Sequence, residues 1–243
     1  IVKPFTFNSI TIIFVIISSK MKTLNIQIEV GSELYIKDPN SSELGRKIIS
    51  KSIEMINEIG FEAFTFKKLG CLIQSNESSI YRYFDSKHSL LIYLTSWYWT
   101  WTECRIVFAT TNVSDPIDRL RKAILILTKP VLEDTSISHV NEVLLSQIIF
   151  SESLKTFHTK KVDEENKKGC FKAYKSVVQR VSSIMLEITP NFQFSHMLTS
   201  TVIEGAHQQK YFADHLPTLT DMSNEEDAIS SFYLELVFNF LKP

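Results

Sequence analysis

The stretch Asn76–Leu90, NESSIYRYFDSKHSL, gathers side chains that hold phosphates and read base edges. Tyr81 and Tyr83 offer hydroxyls, and Arg82 offers a planar fork of donors that suits phosphate oxygens and guanine. Ser78 and Ser79 add short hydroxyls that hydrogen-bond phosphate or base. Glu77 cannot neutralise a phosphate, but its carboxylate can accept from the amine of cytosine. Lys87 follows Ser86 at the expected start of a helix, where its ammonium and the free backbone N–H groups would meet one anion. Packing is the competing role for each tyrosine, and a solvated helix face is the competing role for Lys67 and Lys68.

These residues need short helices to carry them. From Glu43 the apolar residues Leu44, Ile48, Ile49, Ile53, Ile56 and Ile59 fall at helical spacing, and Gly60 stands at the expected stop. Thr65 is placed to cap a short helix holding Phe66, Leu69 and Ile73, and Gln74-Ser75-Asn76 makes a break. Asn76 is placed to cap the next helix, with Ile80 and Phe84 facing inward. Asp85-Ser86 caps the long helix that begins at Lys87. Two short helices across a three-residue turn make a helix-turn-helix, whose second member enters the major groove of a duplex.

Residues Leu44 to Leu91 resemble the DNA-binding region of the TetR family of bacterial transcriptional regulators (TetR/AcrR-type helix-turn-helix). The residues that carry the likeness are Gly60, Thr65, the run Ile80-Tyr81-Arg82-Tyr83-Phe84, and Ser86-Lys87 with Leu90. The likeness covers about a fifth of the chain. It implies a repressor that binds a palindromic operator as a homodimer and is released by a small molecule. DNA contact is then expected from Thr65, Lys67, Lys68, Asn76, Glu77, Ser78, Ser79, Tyr81, Arg82, Tyr83 and Lys87. Two departures stand out: Gln74 occupies a place where glycine is common, with left-handed strain expected there, and Glu77 occupies one that is often basic. Residues 41–90 hold Arg46, Lys47, Lys51, Lys67, Lys68, Arg82 and Lys87 against Glu43, Glu54, Glu58, Glu62, Glu77 and Asp85, an excess of one positive charge. Binding should therefore be strongly limited by salt.

Bulk properties agree with a helical chain of ordinary globular composition. Its 243 residues are 44% hydrophobic with net charge −1, so no global charge marks nucleic acid and only a local cluster could. Six glycines and seven prolines leave room for few turns. Cys71, Cys104 and Cys170 are widely spaced and odd in number, which suits a reducing compartment and suggests neither a disulfide framework nor a zinc site. No Gly-rich phosphate loop, nucleophile elbow or His-Glu zinc motif occurs. An enzyme is not expected, nor is any metal or cofactor.

The expected fold is all-α: a three-helix head at residues 41–86, then a body at 87–243 that binds an effector and dimerises, about nine helices in all. A short β-hairpin is expected in the arm at residues 21–40, from the alternation of Ile26, Ile28 and Val30, the Gly31-Ser32 break, and Leu34 and Ile36. Residues 1–20 read as a leader or mis-set start ahead of Met21. An export or anchor segment and an ordered strand are the alternatives. Body helices are expected at Pro116–Thr128, Ser138–Phe150, Glu164–Glu187, Phe194–Phe212 and Glu225–Leu241.

In the long helix, Leu90, Leu94, Trp97, Trp101 and Phe108 share one side, and Ile92, Trp99 and Ile106 the other. Such a helix is sandwiched. Trp97, Trp101 and Phe108 are core residues or the lining of a cavity for a small apolar or aromatic effector. Gly205, Ala206, Gln209, Phe232, Leu236 and Phe240 on the last two helices are expected at a two-fold interface. That interface would set two recognition helices about 34–36 Å apart. His207, Gln208 and Gln209 are open between interface, ligand and surface roles. The partners implied are double-stranded DNA, a second copy and the effector, with no membrane, in the cytoplasm.

Overall fold

The computed structural model describes residues 28–132, 139–221 and 228–242, and among them every regular element is helical. The long helix supplies the axis. α1 (Glu43–Ala63), α2 (Phe66–Ile73) and α3 (Glu77–Ile80) form the head, and α4 (Lys87–Thr110) runs from it into the body. The body adds α5 (Pro116–Thr128), α6 (Glu142–Phe157), α7 (Val162–Lys168), α8 (Lys172–Ile188), α9 (Ser195–His215) and α10 (Ala228–Phe240). α4 packs against α5, α6 and α8, while α9 lies over α5, α6 and α8 and takes α10 along its side. The apolar residues of α4 sit on all sides, so from Leu90 to Trp99 every residue is buried. Trp97 and Trp101 stack at 6.3 Å, with the Arg105 guanidinium 4.6 Å from the Trp101 ring.

The arm departs from the expected hairpin. Its described residues make 3-10 turns at Ser32–Leu34 and Pro39–Ser41, with no strand, and Ile26 lies outside the described residues. Ile28, Val30 and Leu34 are all buried, with the Ser32–Leu34 turn against α4, whereas Ile36 is 65% exposed. Alternation here records packing against helices rather than pairing of strands, the ambiguity a short apolar run carries. The arm also touches both parts of the molecule. Ile36 N–H donates to Tyr83 O at 2.8 Å, and Glu33 meets Lys172 at 3.4 Å.

Further boundaries moved. The segment expected as one helix, Glu164–Glu187, is two, because Gly169 turns left-handed (φ 94°) after α7 and the chain restarts at Lys172. α6 extends to Phe157, seven residues past the expected end. Ser138, Glu225, Glu226 and Asp227 from the expected helix starts, and the leader at residues 1–20, lie outside the described residues.

Head and body are joined by named contacts. α1 packs on α6, where Asn57 Nδ2 donates to Gln147 Oε1 at 2.6 Å and Lys155 meets Glu62 at 2.9 Å. At the first turn of α4, His88 Nε2 lies 2.9 Å from Oε1 of the buried Glu165 on α7.

Candidate nucleic-acid interface

The head is built by its caps and glycines. Ser42 opens α1 by accepting from Gly45 N–H, and Gly60, at φ 77°, kinks the helix so that Phe61–Ala63 form an offset last turn. Gly60 thus bends the helix instead of stopping it as expected. Thr65 opens α2 by accepting from Lys68 N–H. Gly70 is there because the turn closes on it: a Cβ at that position would lie 2.7 Å from Ser75 O. The turn is held by Ser75 N–H donating to Gly70 O at 2.9 Å. Gln74 takes the left-handed conformation (φ 55°, ψ 46°), at a cost of about 1 kcal/mol against glycine. Ile80 and Phe84 are fully buried and anchor the tip, each contributing about 1.5–3 kcal/mol.

α3 is a single turn, and the chain continues round Tyr81–Tyr83 before Ser86 caps α4 in a capping box with Ser89. Asn76 holds the cap position of α3 without the expected side-chain bond. The Ser89 hydroxyl, and to a lesser degree Ser86, hold the Asp85 carboxyl below its usual range. An open depression beside the turn is lined by Lys67, Gly70, Cys71, Gln74, Ser75, Asn76, Glu77 and Ser79.

The frame divides the expected DNA contacts in two. Asn76, Glu77, Ser78 and Arg82 are exposed, Ser79 is half-buried, and Tyr81 is 46% exposed while resting edge-on against Phe66 at 5.1 Å. Thr65 and Lys67 are exposed one turn away on α2. These residues form one continuous polar tip.

Three residues face elsewhere. Tyr83 is 3% exposed, and its hydroxyl lies 2.8 Å from Ser42 Oγ at the start of α1, so it ties helix ends together. The Lys87 ammonium turns back onto the tail of α1. It donates to the carbonyls of Phe61, Glu62 and Phe64 at 3.0, 3.1 and 3.4 Å and lies 4.8 Å from the Phe61 ring. Those carbonyls end a helix and attract a cation, so Lys87 closes α1 instead of presenting charge outward. Lys68 does the same on a smaller scale, donating to Ala63 O at 2.8 Å. Sequence reasoning passed over Lys37, exposed at the head with its ammonium 5.2 Å from the Tyr83 ring. Its signal was weak, since it lies in the arm read as a hairpin.

The body residues also sort themselves. Trp97 and Trp101 are buried, whereas Phe108, expected with them in a cavity, is 53% exposed. Gly205 and Ala206, expected at a two-fold interface, are used within the chain. Ala206 is fully buried, and Gly205 leaves room for the Tyr233 hydroxyl, which a Cβ would strike. His207 is likewise interior at 4% exposure. Phe232 and Phe240 are 58% and 57% exposed on α10, with Leu236 half-buried between them and Gln209 half-buried on α9.

A capped helix, a glycine-closed turn and a polar tip on a one-turn helix define a helix-turn-helix head on an all-helical body. Comparison with known proteins agrees. Residues 48–94 match the family described as bacterial regulatory proteins, tetR family. A bacterial regulatory protein in the tetR family from Rhodococcus RHA1 superposes with TM-score 0.58 at 13% identity, over 82% of this chain and 97% of that one. AibR in complex with isovaleryl coenzyme A and operator DNA gives TM-score 0.56 at 12% identity, over 79% and 98%. The superantigen PfiT gives 0.54 at 12% identity, over 84% and 97%. At such identities these likenesses establish the fold alone. No curated protein sequence matches the chain significantly.

Proposed function

We propose that the chain is a transcriptional repressor, not an enzyme, that binds a palindromic operator as a homodimer and releases it when a small apolar or aromatic effector enters the body. Residues 41–86 act as the DNA-binding head and 87–243 as the effector-binding and dimerising body. The carrying observation is the exposed tip Asn76–Glu77–Ser78–Tyr81–Arg82, projected from a buried Ile80–Phe84 base inside the segment that matches the family. Arg82 and Tyr81 enter the major groove, while Thr65, Lys67 and Lys37 meet phosphates on the flanks. Phe232, Leu236 and Phe240 form the two-fold contact. Among the described residues no helix is long and apolar enough to cross a membrane, and the cytoplasm is the expected location.

A second reading has its own support. Lys68 and Lys87 spend their ammonium groups on backbone carbonyls, and Glu77 puts a carboxylate on the tip. The head is therefore poorer in outward cations than its sequence promises, which suits a helical protein-interaction module that has lost DNA affinity. Selection from a random pool of duplexes separates the two. A repressor enriches a site with two-fold symmetry, its half-sites one or more helical turns apart. Enrichment of no duplex at low salt sinks the repressor reading in favour of the second.

A further inference from the structure

At the centre of the body, α4, α6, α8 and α9 each contribute one ring to a closed cluster. Trp99 lies 4.6 Å from Tyr174 and 5.8 Å from His207, and His207 lies 4.2 Å from Phe150. Trp99 is 3% exposed and His207 4%. Trp99 Nε1 and His207 Nδ1 are buried without a hydrogen-bond partner among the described residues. Buried polar atoms are almost always paired, so two orphans on adjacent rings ask for a cause. An indole N–H can only donate. Burial, with the Lys210 charge nearby, drives His207 down to about 3, so its ring is neutral and can carry a proton on Nδ1.

Cations complete the surroundings. The Lys210 ammonium lies 4.8 Å from the Phe150 ring and donates to Lys129 O at 3.1 Å. Burial, and then the nearby Arg105, bring Lys210 down to about 8. The carboxylate in reach, Glu204, already accepts from the Tyr174 hydroxyl at 2.7 Å. The cluster therefore offers apolar ring faces, two unpartnered ring nitrogens and positive charge, with the carboxylate in reach, Glu204, bonded on the Tyr174 side.

We propose that this cluster is the effector site and that its ligand is a small apolar or aromatic carboxylic acid, the oxygens accepting from Trp99 Nε1 and His207 Nδ1 and the charge facing Lys210. The proposal rests on the reading of the chain as an effector-released repressor and names the chemical class of the effector. Trp99 supplies the donor, while the family likeness of the head says nothing about it.

The test uses the full chain with its indole nitrogens labelled, so that the N–H signals of Trp97, Trp99 and Trp101 are followed by NMR and Trp99→Phe assigns the middle one. The probes are phenylacetate and hexanoate, against phenylacetamide and hexanamide as neutral counterparts. The acids are expected to move the Trp99 signal saturably, with the amides weaker by about tenfold or more. Lys210→Met should weaken the acids by about tenfold and leave the amides as they were. Circular dichroism checks that each variant folds, and where Trp99→Phe does not fold, the acid-against-amide ratio of Lys210→Met carries the result. The proposal is overturned if no probe saturates at millimolar concentration, if amides bind as well as acids, or if the shift falls on Trp97 or Trp101 alone. Duplex selection on the unliganded chain keeps the two readings apart. A selected operator with no acid binding removes this site and spares the repressor, whereas acid binding with no selected duplex does the reverse.

Discussion

Lys87→Met tests where the Lys87 ammonium acts. Read from sequence, it is a phosphate clamp at a helix N-terminus. In the fold, its ammonium faces three carbonyls of the α1 tail within 3.4 Å and the Phe61 ring at 4.8 Å. Lys87→Met keeps the stem against Phe61 and removes only the charge. A hydrogen bond from a charged donor contributes about 1.5–3 kcal/mol net. Here one half-buried ammonium is shared among three acceptors, so the loss should be about 2 kcal/mol. For a chain of this size that lowers the thermal midpoint by about 4–8 °C. Operator binding provides the contrasting measurement. Each phosphate contact contributes about 0.9 to the slope of log K against log salt, so two lost contacts in a dimer would flatten it by about 2. The structure predicts a lowered midpoint in urea or heat and an unchanged slope. A flattened slope with an unmoved midpoint would show that Lys87 sits on the backbone of DNA, and the placement of the α1 tail argued above would be wrong.

The other predictions concern single atoms. Tyr83→Phe removes the hydroxyl that meets Ser42 Oγ at 2.8 Å; it should cost about 1 kcal/mol of stability and leave operator affinity alone. Tyr81→Phe should do the opposite, and paired urea and gel-shift titrations read both. Gln74→Gly removes the left-handed penalty at φ 55° and should raise the unfolding free energy by up to about 1 kcal/mol; a fall would mean that the Gln74 side chain holds the turn. Acid should expose His207. The unfolded chain takes up this proton near the ordinary histidine value of 6.5, whereas the folded chain takes it up only at about 3. Between those values the unfolded state binds more protons, so stability present at neutral pH is lost as pH falls, by about 2 kcal/mol near pH 5. His207→Phe should flatten that limb in urea titrations at a series of pH values, and an unchanged limb would refute the assignment.

Much of the head was legible because its signals are local. Ser42, Thr65 and Ser86 hold caps that a hydroxyl ahead of an apolar-periodic run announces, and each is observed. Ile80 and Phe84 face inward because period and capping agree. The left-handed Gln74 followed from a missing glycine. What could not be read was the target of a long side chain. Lys87, Lys68 and Tyr83 each sit in register for DNA, and each is claimed by a backbone carbonyl or a hydroxyl that is distant in sequence or hidden by a kink. The kink at Gly60 produces the carbonyls that Lys87 takes, so that contact exists only after α1, the offset turn and α4 are assembled. The same limit governs the body. Gly205 signalled close approach correctly, but a small residue does not say which neighbour approaches. Tyr233 of the same chain takes the space, and the large apolar side chains α10 leaves exposed are Phe232 and Phe240. Under the proposed dimer, a head with so few outward cations would depend on two heads acting together, because each would add only a few phosphate contacts. Substituting Phe232→Glu should therefore lower operator affinity far more than any single tip residue does, with sedimentation showing monomers. If the variant stays dimeric, or if monomers bind as well as the parent, α10 is not the joining surface and the cooperative account of the weakly basic head fails with it.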